Sequence, residues 1–202
     1  MSITNVEYSQ KELTSIVFYN LVHLFERRGY ISDYNKVFEQ NKDKIDVNKI
    51  IKIETNNKET IQIYISGSKI NSISQGSSID EFLRNNIDEK KFLILVEPNK
   101  KIFKQSKESY PNSEAFSHNE LLEDIPEKDI IPKHQLLSEK EKEELLENFN
   151  AKSFKRIYEF DIMSRYYGAK PNDIFRIERM NTTSGKGIDY RLVIPGKYDL
   201  IF

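Results

Sequence analysis

The sequence predicts two small domains of mixed class: an α/β unit over residues 1–125, with a mixed sheet and flanking helices, and an α+β unit over residues 126–202, with a small antiparallel sheet. Three observations carry this reading. Apolar residues recur at helical spacing from Lys11 to Arg28, and a strand, a helix and a second strand follow one another between Thr60 and Glu97. Two runs that alternate at period two, Asp173–Arg179 and Ile188–Ile194, flank the sequence Thr-Thr-Ser-Gly-Lys-Gly. Between the two halves, Glu123 to Asp129 is charged and broken by Pro126, with Pro132 close behind, which suits a connection between domains.

The first helix carries Leu13, Ile16, Val17, Leu21, Leu24 and Phe25 on one face and stops at Gly29. Ile50–Glu54 and Thr60–Ile65 alternate as half-buried strands do, whereas Lys91–Glu97 holds the unbroken run Phe92-Leu93-Ile94-Leu95-Val96, the pattern of a strand covered on both faces. Ser78–Asn86 reads as a helix with Ser78 as N-cap and Glu81 three residues on, so the strands on either side of it pair in parallel. Phe116–Leu122 closes the unit. In the second half, Ser138-Glu139-Lys140-Glu141 is a capping box that opens a helix to about Asn148, with Leu145, Leu146 and Phe149 as its apolar residues. Asp161 caps a short helix that Gly168 ends, and the glycines of the last loop supply positive φ with Lys186 at the tip.

Composition excludes several function classes. There is no cysteine, so disulfides, thiolate metal sites and cysteine nucleophiles are absent, and the only histidines, His23, His118 and His134, are too scattered to form a ligand pair. No metal and no cofactor is expected. The Phe92–Val96 run is far shorter than the roughly 20 residues of a membrane span, and the polar Met1–Gln10 opening has no signal-peptide character, so an intracellular protein is expected. A net charge of −1 gives no global attraction to nucleic acid, and any contact must come from local patches.

Two such patches stand out. Arg27 and Arg28 close the first helix, where they either face DNA or complement the helix dipole. Lys100, Lys101 and Lys104 follow Pro98 in what reads as the loop after the central strand, a place where α/β sheets present binding loops. Tyr166, Tyr167, Phe175 and Tyr190 offer rings for stacking nucleobases or, at their helix and strand spacing, for packing. A Mg²⁺-dependent nuclease is the rival enzyme reading, and it needs an acid two residues before a lysine on a central strand. Asp88-Glu89-Lys90 lies just before the strand, Glu97-Pro98-Asn99-Lys100 has one residue too many, and Lys52-Ile53-Glu54 is reversed. Thr183-Ser184-Gly185-Lys186-Gly187 lacks the first glycine, the hydroxyl residue and the helix of a phosphate loop.

An ordered set of short motifs resembles the C-terminal domain of the fifth subunit of eukaryotic RNA polymerases, a domain that stands alone as the archaeal counterpart. The set is Ile131-Pro132-Lys133-His134, Leu137-Ser138, Glu143-Glu144-Leu145-Leu146, Asp161, Arg165-Tyr166-Tyr167-Gly168, Lys170, Ile177–Arg179, Thr183-Ser184-Gly185 and Tyr190-Arg191. Arg27-Arg28-Gly29-Tyr30 and Phe92–Val96 are similar, more weakly, to the opening helix and central strand of that family's N-terminal jaw. The chain departs from the pattern at Ile162, where a proline is usual, at Asn172, where a glycine is usual, at Thr182 and Gly187, and in the extra residues Pro195–Phe202.

The resemblance implies a non-catalytic subunit of DNA-directed RNA polymerase. Its C-terminal domain would dock on the largest subunit, beside neighbouring small subunits, with Pro132, Lys133, His134, Arg165, Tyr166, Tyr167 and Arg191 forming or supporting the interface. Its N-terminal domain, a nuclease-like jaw without nuclease chemistry, would line the path of downstream double-stranded DNA, touched without sequence preference by Arg27, Arg28, Pro98, Lys100, Lys101 and Lys104. A jaw domain points to a cellular eukaryote, with action in the nucleus, or to a large DNA virus, with action in host cytoplasm (viral factory) and virion. A structure-specific Mg²⁺-dependent nuclease and a free-standing adaptor that uses the docking domain are the alternatives.

Overall fold

A computed structural model describes residues 8–110, 112–181 and 185–196. The chain forms two compact units, residues 1–123 and residues 124–202. In the first, helix α1 (Gln10–Arg27) opens with a reciprocal cap. The Ser9 hydroxyl accepts from the Glu12 amide, and the Glu12 carboxylate, held below its usual pKa mainly by that hydroxyl, accepts from the Ser9 amide. Val17, Phe18, Leu21, Leu24 and Phe25 are fully buried, and Gly29 turns the chain at φ +72°. Helix α2 (Tyr34–Asn41) follows, capped by Asp33. Sequence periodicity misses it because Val37 and Phe38 are its only aliphatic or phenylalanine side chains; Phe38 meets Tyr19 edge-on at 5.2 Å.

The sheet of this unit runs β1 (Ile50–Glu54), β2 (Thr60–Lys69), β3 (Lys90–Val96), β4 (Ser113–Ser117), in that order. The β1–β2 pair is antiparallel; β2–β3 and β3–β4 are parallel, joined through α3 (Ser78–Arg84) and α4 (Lys100–Ser109). The unbroken apolar run makes β3 a central strand, with Phe92 to Leu95 at most 1% exposed. Two local expectations shift. The cap of α3 is Ser77, one residue earlier than expected, because Gly76 turns at φ +75° and Ser77 accepts from Asp80. Residues 100–109, read as a loop, form a helix capped by Asn99.

The second unit builds its sheet in the order β5 (Lys133–Leu136), β7 (Ile174–Asn181), β8 (Gly185–Ile194), β6 (Lys155–Tyr158). The β7–β8 hairpin and the β5–β7 pair are antiparallel, but β6 runs parallel to β8, so this sheet is mixed and the expected antiparallel sheet is corrected. Strands β5 and β6 have four residues each with charged side chains among them, too short for periodicity to register. Helices α5 (Glu139–Asn148) and α6 (Ile162–Tyr167) have the expected caps. Ser138 and Glu141 form the capping box, Asp161 accepts from Met163, and Gly168 ends α6 at φ +66°. The core gathers Ile157, Met163, Phe175, Ile177 and Val193. Among the described residues of the last hairpin only Gly185 takes positive φ; Gly187 lies inside β8 opposite Arg179 and Lys186 opposite Met180, while Thr182, Thr183, Ser184 and residues 197–202 lie outside the described residues.

Asn172 adopts φ +76°, the left-handed turn its place in the resemblance requires, and its amide donates to the Val193 carbonyl at 2.9 Å. Asn172→Ala should therefore destabilise the second unit by about 1 kcal/mol, and Asn172→Gly should leave it near the parent value. Urea unfolding of the three proteins followed by far-UV circular dichroism checks this; equal midpoints for alanine and glycine would remove the backbone argument.

Candidate nucleic-acid and subunit interfaces

The structure separates the basic residues of the first unit. Arg28 turns inward: its guanidinium donates to both Glu114 carboxylate oxygens at 2.7 Å and lies over the rings of Phe92 (5.5 Å) and Tyr30 (5.9 Å). Its side chain is 3% exposed, against 40% for Glu114. Burial alone would depress the arginine pKa, but the Glu114 carboxylate, with Tyr30, more than offsets it and the net shift is upward. Arg28 thus ties the end of α1 to β4 and leaves the DNA-facing set, and buried Pro98 leaves it too. Arg27 is half-buried as the last residue of α1.

Lys100, Lys101 and Lys104 are exposed on α4. The helix buries Ile102, Phe103 and Ser106, and the Asn99 cap is itself fixed, donating to the Asn71 carbonyl at 2.8 Å. Lys107, which sequence reading missed, is also exposed on α4, three residues after Lys104. Lys104 reaches Glu108, the helix's only acid, at 4.0 Å. Lys100 and Lys101 sit in the first turn, where the positive end of the helix dipole disfavours cations.

The carboxylate–lysine runs weighed for metal chemistry are committed elsewhere. Lys90 reaches Glu59 at 3.1 Å and lies 4.6 Å from the Tyr30 ring centre, and Glu97 reaches Lys69 at 3.0 Å. Glu89 accepts from Gln62 and Asn86, and fully buried Lys91 donates to the Leu83 carbonyl at 2.8 Å, its pKa lowered by desolvation. Asp80 accepts from Tyr110, Gly76 and Arg84, led by the Tyr110 hydroxyl, and its pKa falls to about 2. Among the described residues no group of three or more histidines and carboxylates is arranged to hold a metal.

In the second unit the docking candidates divide by face. His134 pairs with Ile177, and Arg191 with Phe175, which places both on the core side of the sheet beside Asp189. Lys133 pairs with Glu178 and points to the opposite side. The half-buried His134 ring donates from Nδ1 to the Pro132 carbonyl at 2.7 Å and meets Phe175 edge-on at 5.8 Å. Burial, aided by the charges of Arg191 and Arg179, lowers its pKa. Nε of Arg191 and Nε of Arg179 are buried without a hydrogen-bond partner, while Asp189 takes Lys155 at 3.1 Å and Arg179 at 3.7 Å. Tyr166 is fully buried, with its hydroxyl donating to Asp124 at 2.8 Å, so it supports the unit from within and cannot touch a partner. Tyr167 packs between Tyr166 (5.6 Å) and Phe175 (5.8 Å), and Arg165 lies in the last turn of α6. These rings serve packing, not stacking of bases.

The chain thus consists of two α/β units, each built on a mixed four-stranded sheet. Residues 123–193 match the family described as "RNA polymerase Rpb5, C-terminal domain". DNA-directed RNA polymerase subunit 5 of Acanthamoeba polyphaga mimivirus is 30% identical over 204 residues, covering 96% of this chain and 98% of that one. The DNA-directed RNA polymerases I, II, and III subunit of Dictyostelium discoideum is 37% identical over 91 residues, 44% of this chain and 46% of its own length. Subunit Rpo5 of Methanocaldococcus jannaschii is 40% identical over 67 residues, 32% of this chain and 86% of its own. The chain belongs to the RNA polymerase subunit 5 family.

Two outcomes follow from the geometry. Glu114→Ala removes the carboxylate that pairs the buried guanidinium and should destabilise the first unit by about 3 kcal/mol. Arg28→Met leaves only a carboxylate open to water and should cost about 1 kcal/mol; denaturant titration showing the reverse order would remove Arg28 from its structural role. His118, 7% exposed with Nε2 lacking a partner, is also held below its ordinary pKa by burial. For His118 and His134 the unfolded chain takes up the proton first, so stability should be full above about pH 6.5 and decline as pH falls below it. Melting curves at pH 7.5 and 5.5 check the sign, and His118→Gln should flatten the first unit's share.

Proposed function

We propose that this non-catalytic subunit of DNA-directed RNA polymerase divides its work between its two units. Residues 126–202 dock on the largest subunit, next to neighbouring small subunits, and hold the assembly together. Residues 1–125 act as a jaw beside incoming double-stranded DNA, which α4 meets through Lys100, Lys101 and Lys104, with Lys107 and Arg27 at the margin. The observation that carries the DNA assignment is the exposed basic face of α4, whose first two lysines stand against their own helix dipole. Phosphate contacts of this kind carry no sequence information and weaken with salt. The viral relative aligned along nearly the whole chain favours action in host cytoplasm (viral factory) and the virion over the nucleus.

The test is Lys100→Glu with Lys101→Glu in the assembled polymerase. Subunit recovery should be unchanged, and downstream DNA affinity should fall with a shallower dependence on log salt, by about 0.9 for each phosphate no longer neutralised. The isolated chain should melt a little higher, by about 1–3 °C, because acids suit the first turn of a helix. Unaltered DNA affinity and salt slope would contradict the assignment.

A further inference from the structure

Helix α5 is well capped yet buries none of its residues. That is unusual for an amphipathic helix, since most helical stability in proteins comes from a packed apolar face. Its apolar side chains end in the open, with Leu146 38% and Phe149 56% exposed, and only Leu145 half-buried. Between α5 and the sheet lies an open cavity of about 370 Å³, lined by Leu137, Leu145, Phe149 and Tyr190 together with five polar or charged residues, Glu141, Glu144 and Arg176 among them. The apolar track continues from Tyr190 along the same sheet face to Ile188, 53% exposed, and Met180, 79% exposed.

Charge says what would fill it. The helix carries Glu139, Glu141, Glu143, Glu144 and Glu147 against Lys140 and Lys142, and Lys142 is already engaged with Glu139 at 3.3 Å. Arg176, the cation lining the groove, is neutralised by Glu178 at 3.0 Å. The groove is therefore lined by apolar and polar side chains together, with two carboxylates against one paired arginine.

We infer that this groove is a docking site for a basic amphipathic segment of another polymerase subunit, one that inserts apolar side chains between α5 and the sheet and sets lysines or arginines against Glu144. The inference rests on the subunit reading and adds a second contact surface to it, on the side of the sheet opposite His134 and Arg191. Apolar anchors in such a groove supply affinity, and the carboxylates select a basic partner over an acidic one.

The experiment places the photo-crosslinker p-benzoylphenylalanine at Phe149 in the full chain, with the same group at Ile87 of the first unit as reference, and purifies the native polymerase before irradiation. The expected result is a crosslink from position 149 to a mapped peptide of another polymerase subunit that combines apolar residues with Lys or Arg. Glu144→Lys should lower that yield by about tenfold, and Glu144→Gln by less. A crosslink to a second copy of this chain, or to a segment without basic residues, would overturn the inference. Recovery of the chain in the polymerase with no crosslink at 149 would overturn it while leaving the subunit reading intact. Absence of the chain from the purified polymerase would overturn both.

Discussion

Everything in the first unit depends on burying one strand on both faces. Phe92 to Leu95 of β3 offer apolar side chains in both directions, so each face must be covered and neither edge can be left unpaired. Parallel neighbours on both sides meet that demand, and parallel strands need crossovers, which α3 and α4 supply. The position of α4 is thus a consequence of the core. Its buried Ile102 and Phe103 fix which side faces inward, and the lysines are left outward. The Arg28–Glu114 pair then secures the end of α1 to the outer parallel strand across the same Phe92 ring.

The second unit solves a different problem with a smaller core. One sheet face packs against α6 and collects Ile157, Met163, Phe175, Ile177 and Val193. The other carries α5, which contributes no buried residue, and Phe154, whose ring lies 5.7 Å from that of Tyr190, and its strands leave Ile188 and Met180 in the open. A domain of this size buries a modest share of its surface by itself. Leaving one face available for neighbours is consistent with a subunit made for assembly.

Much of the fold was legible in sequence, and the failures have physical causes. Helix α1, strands β1 to β3, helices α5 and α6 and the last hairpin announce themselves through periodicity and caps. Strands β5 and β6 are too short to alternate visibly, and α2 and α4 have apolar residues too few and too polar a context to register. The parallel β6–β8 pair joins segments distant in sequence. The lysines of α4 were legible as an exposed cluster, but their helix was not. Arg28 was misread because its partner Glu114 lies 86 positions away, and the Tyr166–Asp124 hydrogen bond, across 42 positions, was not legible. Asn172 and Gly168 were both read through to their backbone conformation, the first because a glycine position filled by asparagine suits a left-handed turn and the second because glycine ends a helix in one.

The central claim is that assembly and DNA contact belong to different units. Hydrogen–deuterium exchange of this chain, measured free, in the assembled polymerase, and in the polymerase bound to downstream DNA, tests it most directly. The expected result is that α5 and the β7–β8 hairpin gain protection on assembly whether or not DNA is present, and that α4 gains protection only when DNA is added. Protection of α4 on assembly alone, or a second unit whose exchange does not change on assembly, would contradict it.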